Sequence, residues 1–372
     1  MPDGEVRAPG RVNLIGEHID YHGLPVLPIA IGRSVHVRFR ARSDRRIRVS
    51  SAGPYGQREF TWAADLKAAP AGDWENYLRA AASAVGARWG VHAGVDAWIE
   101  SDLPPAAGLS SSSALIVAFA LCLLAANGIA ASFEELMAIL PEGEHFVGTR
   151  GGGMDHAAIL ASRAGCASLI EFAPLAVRHI AVPADWAFLV AHSLETAEKS
   201  GSARAAYNAR RQAGAAALAR LGAASYREVM AAPERHGEFL ARLTNAEERD
   251  AFLHTTSEAA RAADAVRAME TGDAVCFGHL LVESQRSLRE RLRVSSPALD
   301  RLADAALANG ALGARLTGAG FGGAIVALTS KSGLAALRRG LIASYYAGRA
   351  DFREADHLID AVPAAGAGFE PR

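Results

Sequence analysis

Leu103-Pro-Pro-Ala-Ala-Gly-Leu-Ser-Ser-Ser-Ser-Ala114 lies between two stretches of opposite periodicity. Before it, Gly94–Glu100 (GVDAWIE) alternates apolar and polar residues, the pattern of a half-buried strand. After it, Ala114–Ala126 is an unbroken apolar run that stops at Asn127-Gly128, a helix C-terminal signal. A helix N-terminus presents unpaired backbone N–H groups and a partial positive charge, so a strand–turn–helix of this composition suits phosphate. Gly108 lets an anion approach the backbone, and the hydroxyls of Ser110–Ser113 can cap the helix, bond phosphate oxygens or join a magnesium shell. A simple serine-capped helix is the alternative, although it needs only one serine. No Gly-Lys-Ser/Thr follows, which excludes a Walker-type phosphate loop.

Working outward, Ser34–Ala41 and Arg46–Val49 read as strands. Trp74–Val85 reads as a helix with Asp73 at its N-cap. Beyond residue 184 the composition turns Ala- and Arg-rich. There Tyr207–Leu221, Glu258–Glu270 and Pro297–Asn309 read as helices, and Trp186–His192 and Ala324–Leu328 as strands. The fold class is therefore α+β in two halves, residues 1–182 and 183–372, with Ala364–Arg372 a loose tail. Length supports two domains or one large one.

Composition excludes several classes of function. Against 39 basic residues stand 40 acidic ones, a formal net charge of −1, so there is no nucleic-acid footprint. The longest apolar run, Ala114–Ala126, is shorter than the roughly 20 residues a membrane helix needs. The N-terminus lacks a charged start followed by an apolar stretch, so no secretory signal is expected. Cys122, Cys166 and Cys276 are odd in number and lack C-x-x-C spacing, which fits a reducing, cytoplasmic setting without disulfides or zinc.

Three further segments carry chemistry. Gly10-Arg-Val-Asn-Leu-Ile-Gly-Glu-His-Ile-Asp-Tyr-His-Gly23 crowds Arg11, Glu17, His18, Asp20, Tyr21 and His22 beside the apolar Leu24–Ile31. Such density is expensive to bury without partners, and its mixture of donors and acceptors suits a polyhydroxylated ligand. An exposed polar loop is the bland alternative. In Gly151-Gly-Gly-Met-Asp155-His156 a carboxylate follows a nearly bare backbone; Asp155 either meets a ligand or caps the run Ala157–Ala161. Leu316-Thr-Gly-Ala-Gly-Phe-Gly-Gly-Ala324 is a tight crossover or a wall of a nucleotide site.

Together and in this order, these segments resemble the galactokinase family of the GHMP small-molecule kinase superfamily. Trp74-Glu-Asn-Tyr77, Glu142-Gly-Glu-His-Phe-Val-Gly148, Tyr207-Asn-Ala-Arg-Arg211 and Glu283-Ser-Gln-Arg-Ser-Leu288 add to the likeness. The resemblance implies a two-domain α+β architecture with the active site between the domains. It also implies an ATP-dependent kinase that phosphorylates the C1 hydroxyl of D-galactose, with Mg2+ as the metal. Asp155 matches the catalytic aspartate and Arg11 the arginine beside it. Glu17, His18, Asp20, Gly152 and Tyr207 match sugar contacts. Gly108, Ser110 and Ser111 match phosphate contacts, Trp74 a residue lining the adenine pocket, and Ser112 and Glu144 the magnesium ligands. A monomer or weak homodimer is expected.

Three positions depart from the family pattern. Ile19 stands for the usual Thr, His22 for the usual Asn and His156 for the usual Gln. The triple glycine before Met154 and the fourth serine, Ser113, are similar to the N-acetylgalactosamine kinase subgroup, an alternative activity. A non-catalytic galactose and ATP sensor is a second alternative, although it resembles a chain with a damaged serine loop, and here Ser110–Ala114 is complete. Homoserine or mevalonate as substrate is disfavoured by the hydroxyl-binding cluster Glu17–Tyr21.

Overall fold

The computed structural model describes residues 3–104, 107–143, 151–196 and 202–371. Its first half is built on β1 (Gly4–Ile15), β2 (Leu27–Ala41), β3 (Arg46–Ser51), β4 (Gly56–Thr61) and β5 (Val95–Ser101). These are backed by α1 (Glu75–Trp89), α2 (Ser111–Ala126), α3 (Phe133–Gly143) and α4 (Met154–Ala161). β6 (Cys166–Phe172) and β7 (Leu175–Ala181) form a separate hairpin. β8 (Trp186–His192) opens the second half. It is followed by α5 (Ser202–Leu221), α6 (Tyr226–Met230), α7 (His236–Arg242), α8 (Ala246–Thr271), α9 (Ala274–Ser287) and α10 (Pro297–Ala308). Then come β9 (Gly313–Thr317), β10 (Ala324–Ser330), α11 (Leu334–Leu341), α12 (Glu354–His357), β11 (Leu358–Asp360) and β12 (Gly368–Pro371).

The larger sheet runs β12-β1-β2-β5-β3-β4 and the second β11-β8-β10-β9. α2 is apolar around its whole circumference because it is buried: Ala114, Ile116, Phe119 and Leu123 are wholly inaccessible, and the helix packs on α1, β1 and β2. One apolar cluster runs on into the second half, from Val12 and Phe119 to Phe188, Val266 and Phe277. A separate cluster gathers Ile19, Leu24, Met154, Ala157, Tyr226 and Phe252, seating the Gly10–Gly23 segment on α4 and the helices of the second half.

The expected elements are present, with Asp73 accepting the N–H of Glu75 at the start of α1. The tail, however, is not loose. Ala364 N–H donates to Ala30 O, Gly366 N–H to Ser162 O and Ala367 N–H to Ile159 O, and β12 then pairs antiparallel with β1. Phe369 lies 6.0 Å from Phe39, over Gly4, where a Cβ would stand 2.3 Å from its ring. Composition concealed this strand because its ladder partner is more than 350 residues away in sequence.

A chain ending at Ala367 should therefore melt lower than the full chain by about 2 °C or more, read by differential scanning fluorimetry. An unchanged midpoint would restore the loose-tail expectation.

Candidate active site

The site is built around Arg11. β1 has irregular register against β2 between Pro9 and Arg11 and again between Asn13 and Ile15, irregularities that bend a strand locally while the pairing runs on to Ile15. Arg11 N–H consequently pairs with Leu109 O in the serine turn, and its Nη1 donates to Gly108 O at 2.7 Å. Its Nε donates to Asp155 Oδ1 at 2.7 Å. Arg11 is 4% exposed, so this charge-assisted contact is formed out of water.

Asp155 lies in the first turn of α4 but does not cap it; the N-cap position is Gly153, whose left-handed backbone makes no side-chain cap. Asp155 Oδ2 instead accepts Ser110 Oγ at 2.5 Å and, more distantly, Ser113 Oγ at 3.4 Å. Ser110 is the N-cap residue of α2, in a left-handed conformation (φ 57°), and it too makes no cap bond. Both simple capping alternatives are thus set aside. Ser110, expected on phosphate, has its hydroxyl on Asp155. Ser111 and Ser112 occupy the first turn of α2, both half-buried.

Asp20 stands close enough to Asp155 for the two charges to oppose each other. It accepts the backbone N–H groups of Tyr21, Gly152 and Met154. Burial first and the Asp155 charge second push its carboxyl from the ordinary 3.8 up to about 6. Gly152 has to be glycine, since a Cβ there would lie 2.4 Å from Tyr21 N and 2.6 Å from Asp20 Cγ.

His18 sits at φ 61°, between Tyr21 Oη at Nδ1 (2.9 Å) and Ala319 O at Nε2 (3.1 Å). A carbonyl only accepts, so Nε2 carries the proton and Nδ1 accepts from the Tyr21 hydroxyl. Burial, with a smaller contribution from His254, lowers His18 to about 4 and keeps it neutral. Tyr207 on α5 places its ring 5.2 Å from His18 and 5.8 Å from Tyr21.

Glu17, expected on the sugar, is 2% exposed, and its Oε1 accepts Gly318 N–H at 2.6 Å and faces Arg315 Nη2 at 3.2 Å. Arg315 is wholly buried and also donates to the carbonyls of Asn13 and Leu14 at 3.0 and 2.8 Å. Burial, then the nearby Arg11, lowers its guanidinium to about 9. Sequence reading passed over Arg315, although it immediately precedes the late glycine loop. That loop and the serine turn touch through their backbones: a Cβ on Gly108 would lie 3.1 Å from Thr317 O, and one on Gly318 would lie 3.2 Å from Gly108 O.

The departures have structural causes. Ile19 is wholly buried in the apolar cluster of α4 and α8. His22 fits because Gly214 has no Cβ; one there would lie 2.2 Å from its Nε2. His156 is buried in α4 at 1% exposure. Trp74 stands outside the Arg11–Asp155 network, with Nε1 on Tyr55 O at 3.0 Å and Arg58 over its ring. Glu144 lies outside the described residues.

The fold and this site define a two-domain GHMP-type small-molecule kinase. The model for the GHMP kinases N-terminal domain matches residues 76–163, that for the GHMP kinases C-terminal region matches 262–347, and the galactokinase galactose-binding signature matches 2–41. The chain belongs to the galactokinase family and is a sugar kinase. It is 38% identical to the galactokinase of Roseiflexus sp. over 92% of this chain and 87% of that one. The crystal structure of Lactococcus lactis galactokinase complexed with galactose superposes with a TM-score of 0.88 at 26% identity, covering 98% of this chain and 94% of that one. Methanococcus jannaschii mevalonate kinase, at TM-score 0.68 and 16% identity over 96% of this chain and 98% of that one, shares the fold alone.

A role for Asp20 as ionised acceptor of sugar hydroxyls predicts a sugar KM that is flat above about pH 6 and rises about tenfold per pH unit below it. Folding has the opposite sign: with the folded value raised, the stability this group contributes is greatest at low pH and is lost as pH rises through about 6. Steady-state kinetics from pH 4.5 to 8 on the wild type and Asp20→Asn check this; a variant profile with the same break would clear Asp20 of the role.

Proposed function

We propose that the chain transfers the γ-phosphoryl group of ATP to the C1 hydroxyl of D-galactose, giving galactose 1-phosphate and ADP. The observation that carries this is Asp155, bonded to Arg11 on one oxygen and Ser110 on the other, beside Asp20 and at the N-terminus of α2. The match to the galactose-binding signature supports the sugar, as does the likeness to a galactokinase complexed with galactose.

Phosphoryl transfer through a loose transition state asks mainly for positioning and neutralisation of charge. Asp155 orients the C1 hydroxyl and receives its proton late in the transfer. Admitting that hydroxyl exchanges one O–H donor on Oδ2, Ser110, for another, which costs little net free energy. Arg11 holds Asp155 and offsets charge on the transferring group. Asp20, Gly152 and Tyr207 line the sugar, while Glu17 and His18 set the walls around it. Gly108, Ser110 and Ser111 offer backbone and hydroxyl groups to the phosphates, and Trp74 is assigned to the adenine side. Ser112 and Glu144 are hard oxygen donors of the kind that suits Mg2+. An ion held there would neutralise charge on the β- and γ-phosphates. With this reading go a division near residue 183, a monomer or weak homodimer, and a cytoplasmic setting.

Asp155→Asn should lose about 10²–10⁴-fold in kcat with ATP affinity little changed, as read by coupled ADP release and nucleotide titration. Near-normal turnover would remove Asp155 from the mechanism. In the same assay galactose should turn over faster than N-acetylgalactosamine, arabinose and glucose, and mevalonate should not react. Preference for N-acetylgalactosamine would move the assignment to that subgroup, and no turnover at all would favour the sensor.

A further inference from the structure

The turn that aims His18 is held in part by the other half of the molecule. Gly16 (φ 99°) and His18 (φ 61°) are both left-handed, and for the histidine such a backbone persists only where surroundings impose it. Three backbone polar groups of this turn are taken by two side chains of α8. Glu258 Oε1 accepts Gly16 N–H at 2.9 Å and Glu17 N–H at 3.3 Å. His254, one helical turn earlier on the same face, bonds Glu17 O through Nε2 at 3.0 Å. Both side chains are fully buried.

Each is steadied by a serine of α9. Ser284 Oγ donates to Glu258 Oε1 at 2.8 Å, and Ser287 Oγ meets His254 Nδ1 at 2.9 Å. Arg261 closes the other side of Glu258, its Nε 2.9 Å from Oε2. Glu17 O only accepts, so His254 Nε2 must carry the proton and Nδ1 must accept from Ser287. Burial holds this imidazole near 4, neutral and in that one tautomer at working pH. Ser284 and Ser287 belong to Glu283-Ser-Gln-Arg-Ser-Leu288, a segment for which the proposed chemistry has no other use.

We propose that His254 and Glu258 are positioning residues for the sugar site, acting through the backbone of Gly16 and Glu17 to keep His18 and Asp20 aimed at the sugar. This rests on the sugar-kinase reading above and assigns to α8 and α9 a share of sugar affinity without any contact to sugar. Loss of one such bond changes an affinity by about fivefold. Nucleotide binding, at the α2 turn, should be largely insensitive.

The test is steady-state kinetics of the full chain with each substrate varied in turn, beside a thermal melt. Ser287→Ala and Ser284→Ala should each raise galactose KM about fivefold, with ATP KM and kcat within about twofold. His254→Leu should raise galactose KM further, and His254→Gln, which returns an N–H near the Nε2 position, should recover most of the loss. Equal rises in the two KM values, or a fall in kcat alone, would mean a merely structural role and overturn the proposal. If His254→Leu does not fold, the serine variants decide, and an unchanged galactose KM in both overturns it. If the wild type prefers another sugar, the galactose assignment falls and the same comparisons on that sugar judge the positioning role. No phosphorylation of any sugar defeats both.

Discussion

A single guanidinium fixes the relative positions of three segments that are far apart in sequence. Arg11 bonds Asp155 in α4 and Gly108 O in the serine turn, and its own N–H reaches Leu109 O. The bend in β1 that makes this possible needs Gly10, where a Cβ would lie 2.4 Å from Leu103 and 2.9 Å from Leu109 O. Because Arg11 holds Asp155 from one side, that carboxylate turns away from its own helix terminus and toward the N-terminus of α2. The site therefore depends on a strand irregularity as much as on the identity of its acid.

The two halves meet at the same place with little room to slide. Thr317 Oγ1 bonds both Asn13 N–H and Asn13 O, Arg315 reaches the Asn13 and Leu14 carbonyls, and Gly318 N–H meets Glu17. Removing one member of a buried ion pair such as Arg315–Glu17 leaves the other charge uncompensated, a cost of about 3–5 kcal/mol. Glu17 is consequently a cross-piece between the halves. The late glycine loop, anticipated as a crossover or a nucleotide wall, has a clear steric role: side chains at 320 and 322 would collide with the backbone of Val294 and Glu195, and one at 318 would crowd Gly108.

Much of this was legible in the chain. Strand–turn–helix periodicity placed α2 and its serines, and the crowding of polar residues before Leu24 marked the segment that meets α4 and the late glycine loop. What sequence could not give were partners defined by distance in the fold. Ser113, Ser110 and Asp155 read naturally as separate caps, and only the packing of α4 on α2 shows that they serve one another. His254, Glu258 and Arg315 bond backbone groups some 240 to 300 residues away, and a backbone partner leaves no trace in side-chain patterning. Of the departures from the family pattern, Ile19 is a core residue and His22 packs against the bare backbone of Gly214.

Charge within the site is arranged in a definite order. Arg315 faces Glu17 and Arg11 faces Asp155, leaving Asp20 as the third carboxylate, held by three backbone N–H groups. Its raised titration follows from that order: the amides at the start of α4 favour the ionised form, but burial and Asp155 oppose it more strongly. An acceptor held in this state gains more from a hydroxyl donor than one already neutralised by a cation, because the new bond relieves an existing electrostatic strain. The same argument explains why Gly152 is bare. A side chain there would displace Asp20 from its cradle, since a Cβ would lie 2.6 Å from Asp20 Cγ.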